Sequence, residues 1–168
     1  MILDRDLLPL LQASPFVQPG RERIFARGLG AGLRGDLLSA GHLLVPQLEH
    51  SLRSIHREQG VPTTSLDDHG IEQERTLNQL LFLPQMTEVF GEDITFDLQG
   101  LLVDEFGANL RNKLAIGLLS HAECYAAAVM YAWWHTLHLC CMSAVTRVSP
   151  DTTGTPDDTP TATTQPDD

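Results

Sequence analysis

The sequence predicts an all-α domain, a bundle of about five to seven helices. Three observations carry that prediction. Apolar residues recur at helical spacing along nearly the whole body of the chain. Apart from Pro46, caps, glycines and prolines mostly mark the ends of the periodic stretches. No convincing alternating strand is present, apart from a weak signal near Val61–Thr64.

The first short helix lies within Ile2–Gln12, and Pro15, Pro19 and Gly20 make the next segment a loop. Glu22–Gly28 is the second helix, ending in a flexible junction among Gly28, Gly30 and Gly32. No strand precedes those glycines, so they do not form a dinucleotide loop. The clearest early helix runs from Asp36, its cap, to about Gln59, before Gly60. Leu37, Leu44, Leu48, Leu52 and Ile55 form its buried stripe. Pro46 removes a backbone donor and predicts a kink. Beside the stripe runs a polar seam of His42, Glu49, Arg53 and His56, with Glu49 and Arg53 spaced for an ion pair.

Gly60–Gly70 reads as a polar surface loop. Ile71–Leu83 reads as a helix with Leu77, Leu80 and Leu81 inward, and Pro84 opens another with Met86, Val89 and Phe90. GEDI reads as a turn. Thr95–Phe106 is then a helix burying Phe96, Leu101, Leu102 and Phe106. The last helix runs from Ser120 to about Thr146, with no formal charge between Glu123 and Arg147. A helix apolar on all sides is a central core element or a membrane span. His135 and His138 in its middle, and the lack of a basic cluster at its ends, favour the core, so no membrane partner is expected.

Composition narrows function. The 168 residues carry 22 Asp+Glu against 11 Lys+Arg, a net charge of -11, which argues against a broad nucleic-acid-wrapping face; DNA is not expected as a partner. Three cysteines do not make a disulfide framework, and the first residues are too acidic for a signal peptide. The expected location is the cytoplasm. Residues 149–168 hold Thr, Pro and five Asp with no base, and read as a disordered acidic tail behind a helical domain of residues 1–148.

The segment GANLRNKLAIGLLSH, residues 107–121, is the most distinctive. Arg111 and Asn112 stand together among leucines. An arginine there is either an ion-pair partner, with Glu49 the candidate, or an anion site. His135, His138 and Cys141 form HxxHxxC on the last helix, but without a fourth ligand they read as core residues, and neither a metal nor another cofactor is expected. His121 and Cys124 are a weak nucleophile pair with no orienting third group.

GDLLSAGHLLVPQLEHSLR (35–53), NLRNKLAIGLL (109–119) and the final helix with Trp133 and Trp134 together resemble the family called domain of unknown function 4209, marked by RNxxxHG. That family is similar to the HEPN superfamily of small helical bundles. Many HEPN domains are metal-independent ribonucleases that pair two subunits across a cleft. The resemblance implies a HEPN-like fold, RNA as a candidate partner, and a homodimer or other protein partner. It also implies a phosphate-holding role for Arg111, with Asn112 orienting. The histidine of the motif is replaced by Ile116, which has no proton to transfer, while Gly117 matches. His121, ten residues after Arg111, is the nearest substitute. The expected reading is a ribonuclease-related domain with impaired catalysis, whose polar cluster of His42, Glu49 and Arg53 binds or braces. The alternative is a non-enzymatic dimerising module built on a buried Arg111–Glu49 pair.

Overall fold

The computed structural model describes residues 3–61, 63–66 and 72–145. The acidic tail and the end of Gly60–Gly70 lie outside them. Eight α-helices appear among the described residues: α1 (Leu8–Ala13), α2 (Glu22–Leu33), α3 (Leu37–Glu58), α4 (Leu77–Leu81), α5 (Pro84–Phe90), α6 (Glu92–Leu102), α7 (Leu110–Ala115) and α8 (Ala127–Val145). Short 3-10 turns at Asp4–Leu7 and Glu123–Tyr125 precede α1 and α8. The fold is mostly helical, as the periodicity predicts.

The core lies where α2, α3 and α8 meet. Phe25 and Leu29 of α2, Leu44, Leu48 and Leu52 of α3, and Val129, Ala132 and Leu139 of α8 are all buried. Phe16, in the loop before α2, closes one end edge-on to Phe25, with ring centres 6.3 Å apart. Asp36 caps α3 as predicted, its carboxylate accepting from the Ser39 amide at 3.0 Å. Pro46 sits inside α3, where it leaves the His42 carbonyl without its usual helical donor.

Several expectations are corrected. The glycines after Glu22 do not end α2, which continues to Leu33. They are packing glycines instead. A Cβ at Gly28 would meet the Leu44 side chain, and one at Gly32 would strike the Trp133 indole. The space left at Gly32 lets Trp133 donate from Nε1 to the Leu29 carbonyl at 3.0 Å.

Ile71–Leu83 is not one helix. Glu72–Glu74 forms strand β2, paired antiparallel with β1 (Thr64–Leu66), and helix begins only at Leu77. Thr76 starts α4 with a reciprocal cap: its hydroxyl accepts from the Gln79 amide, and the Gln79 side chain accepts from the Thr76 amide.

GEDI is a turn only at Gly91, whose φ of 83° belongs to the left-handed region; Glu92 already begins α6. The last helix begins at Ala127 rather than Ser120, behind a turn tied by Ser120 and Glu123. Phe96 and Phe106 are not buried. Phe96 is 75% exposed and Phe106 wholly so. Thr95, Leu98, Leu101 and Leu102 supply the inner face of α6 instead. No helix among the described residues is long and apolar enough to cross a membrane.

Gly32→Ala is expected to destabilise the fold by about 1–3 kcal/mol, because overpacking against Trp133 outweighs the gain in helix propensity. Urea unfolding measures this; a midpoint equal to or above wild type would mean that the indole is not seated against α2.

Candidate functional site: a carboxylate between two guanidiniums

Glu49 lies in the middle of α3, with the buried Leu48 and Leu52 fixing the rotation of that helix. Arg53, one turn later, donates to Glu49 Oε1 from Nη2 at 2.7 Å and from Nε at 3.2 Å. Arg111 reaches the same carboxylate from α7, 62 residues away in sequence. Its Nε donates to Oε2 at 2.8 Å, and its Nη2 to Oε1 at 3.4 Å. The Arg111 side chain is 35% exposed and that of Glu49 18%, so the pair is half-buried rather than sealed.

The clamp extends in both directions. Arg53 Nη1 donates to the Arg75 carbonyl at 2.6 Å and pairs with Glu74 at 3.4 Å, tying α3 to the ribbon. Glu74 also meets Arg57. On the other side, Arg111 Nη1 donates to Asn112 Oδ1 at 3.1 Å, and Asn112 Nδ2 donates to Asn109 Oδ1 at 2.7 Å. Asn109 precedes α7 with a φ of 50°, a left-handed conformation that asparagine tolerates better than most residues. Buried Leu110 anchors the start of α7 and turns Arg111 toward α3.

Burial pushes the Glu49 carboxyl upward in pKa, but hydrogen bonds from Arg111 and then Arg53, with their charges, outweigh it. The group is held below the ordinary value of 4.5. The carboxylate is therefore the stable form, and it anchors both cations.

A recess of about 250 Å³ lies beside the clamp, lined by His42, Pro46, Glu49, Arg111 and Leu114. His42 also borders a second recess of about 330 Å³ with Arg27, Arg34 and Asp36. The His42 ring meets the Leu38 carbonyl through Nδ1 at 2.8 Å. His56, the last member of the predicted seam, does not join. It is fully buried, bonded through Nδ1 to the Leu52 carbonyl and stacked on Phe90.

His121 lies elsewhere. It is exposed after α7, its ring 5.1 Å from that of Tyr125. Ile116 is 70% exposed at the end of α7. Cys124 is buried beyond it. His135 is buried in α8 against Tyr131 and Trp134, and burial drives the thiol of Cys140, further along α8, up to about 12. Among the described residues no group of three His, Cys, Asp or Glu side chains is arranged to hold a metal.

Sequence reading misses Glu74, Arg75 and Asn109 as parts of the clamp. The first two fall inside a wrongly extended helix, although the charged alternation of EQER is visible. Comparison of the chain with protein-family models, curated proteins and solved structures found no match.

Glu49→Ala is expected to cost about 1–3 kcal/mol, between an exposed pair and a fully buried one, because it leaves two guanidiniums facing each other. Chemical denaturation tests this, and an unchanged midpoint would remove the clamp from the stability of the fold.

The pH dependence has two limbs. Burial holds His56 and His135 below their ordinary 6.5, so the unfolded chain takes up protons there that the native chain does not, and stability falls as pH drops from 6.5. Below 4.5 the contribution of Glu49 is lost as well. Glu49→Gln should make the lower limb shallower and leave the upper one, read from urea midpoints between about pH 2.5 and pH 8.

Proposed function

We propose that this chain is a HEPN-like helical module that works by assembly with a protein partner rather than by RNA cleavage. The observation that carries this reading is the commitment of Arg111. Its Nε and Nη2 point at Glu49 and its Nη1 at Asn112. A guanidinium that grips a scissile phosphate needs its donor fork turned toward the substrate. Cleavage also needs a proton-transfer group within hydrogen-bond reach of the 2′-hydroxyl. Ile116 supplies none, the His121 ring lies tilted against Tyr125, and His42, in the recess beside Arg111, is bonded through Nδ1 to the Leu38 carbonyl. Arg111, Asn112, Glu49 and Arg53 then act as braces between α3, α7 and the ribbon.

One observation favours a second reading, in which RNA is still bound. The two recesses flanking His42 bring Arg27 and Arg34 on one side and Arg111 on the other toward a shared histidine. A phosphate backbone would suit such a path, although Arg34 is paired with Asp4 at 2.8 Å and Arg111 with Glu49.

The purified chain is expected to leave single-stranded RNA intact over hours, as followed on denaturing gels. Ile116→His, at an exposed position that tolerates the change, tests whether a proton carrier alone restores cleavage. Wild-type cleavage that disappears in Arg111→Ala would overturn the non-catalytic reading.

A further inference from the structure

A concavity larger than either recess beside His42 lies between α6 and α8. It is an open groove of about 820 Å³, bordered by Phe96, Asp97, Met130, Tyr131 and Trp134. Small residues, among them Gly100, Ala108 and Ala127, also line it. Phe96, Met130, Tyr131 and Trp134 are all exposed. An apolar face of this kind on a folded domain marks a place where something binds.

Charge selects what binds. Asp97 is the charged side chain of the groove lining. Its Oδ2 accepts a hydrogen bond from the Tyr131 hydroxyl at 2.6 Å, and no Lys or Arg among the described residues pairs with it. One turn before it on α6, Asp93 and Glu92 are exposed. Asp104 and Glu105 lie just beyond the helix. From Thr76 to Leu110 the sequence holds Glu88, Glu92, Asp93, Asp97, Asp104 and Glu105, and no Lys or Arg. Nor does α8 contain an Asp, Glu, Lys or Arg. The groove is therefore aromatic at its centre and acidic along its α6 rim.

We propose that this groove receives the apolar face of a basic amphipathic helix from a partner protein. Apolar side chains of that helix would seat against Phe96, Met130 and Trp134, and its Lys or Arg residues would meet Asp97 and Asp93. Two other occupants carry the wrong sign. A second copy would bring the same acidic rim against itself. The chain's own residues 149–168 hold five Asp and no base. The proposal rests on the assembly reading and gives that assembly a surface and a partner chemistry.

The test uses the full chain and a fluorescein-labelled, tryptophan-free peptide of about 18 residues, with leucines on one helical face and lysines on the other. Trp133 and Trp134 are the only tryptophans, and both line the groove, so intrinsic emission reports on it directly. The expected result is saturable 1:1 binding by anisotropy, with a blue shift of the tryptophan emission. Phe96→Ala, at an exposed position, is expected to weaken binding at least tenfold.

Asp97→Lys and Asp93→Lys should each do the same, the second without touching the Tyr131 bond; circular dichroism verifies that each variant is folded. Equal binding of a peptide with glutamates in place of the lysines would overturn the proposal, as would variants that bind like wild type. So would sedimentation showing a dimer of the chain that Phe96→Asp dissociates, which would make a second copy the occupant. Peptide failure with RNA still uncleaved would remove this surface alone, whereas RNA cleavage dependent on Arg111 would remove the reading beneath it.

Discussion

One carboxylate shared by two guanidiniums holds together the parts of this fold that the apolar core does not. Glu49 receives Arg53 from its own helix and Arg111 from α7, and Arg53 passes the connection on to the carbonyl of Arg75 after β2. Three segments distant in sequence thus meet at one ionised group. The arrangement is asymmetric. Losing one arginine leaves Glu49 paired with the other, while losing Glu49 leaves two like charges close together with their partner gone. A half-buried position makes that asymmetry matter, since screening by water is incomplete and desolvation has already been incurred by all three groups.

Much of this is readable in the residues. The stripe of Leu44, Leu48 and Leu52, the Asp36 cap and the spacing of Glu49 with Arg53 are local patterns, and local patterns survive folding. The pairing of Arg111 with Glu49 comes from a different rule: a guanidinium among leucines needs an acid, and few acids are suitably placed.

Tertiary contacts decide the failures. Gly28 and Gly32 look like helix breakers until Leu44 and Trp133 are seen to occupy the space that side chains would have filled. Phe96 and Phe106 look like core residues because they are aromatic, but the face of α6 that packs inward is set by Thr95, Leu98 and Leu102. His56 has the spacing of the polar seam yet turns into the core, where Leu52 and Phe90 hold it. Spacing alone does not say which side of a helix its neighbours will cover.

The composition of α8 has a similar explanation. A helix apolar all round is expected to be enclosed, and here only part of its circumference is. Val129, Ala132 and Leu139 face the core, while Met130, Tyr131 and Trp134 face outward beside α6. The sequence therefore encodes two apolar surfaces on one helix, one used within the domain and one left open. With no Asp, Glu, Lys or Arg on α8 and no Lys or Arg from Thr76 to Leu110, Asp97 is the charged side chain lining that open surface.

Stability and phosphate chemistry place opposite demands on Arg111. For the fold, the guanidinium must stay on Glu49, whose ionised form it stabilises. For phosphoryl-ester chemistry, it must leave Glu49 for an anion, and the acid left behind would then repel the phosphate it was meant to help bind. A phosphate competes with an intramolecular carboxylate already held at 2.8 Å, beside a second cation equally committed. Position 116 holds no histidine, and His42, which lines the same recess, is bonded through Nδ1 to the Leu38 carbonyl. The clamp that joins α7 to α3 thus opposes any release of Arg111 toward an anion, whereas α8 takes no part in the clamp.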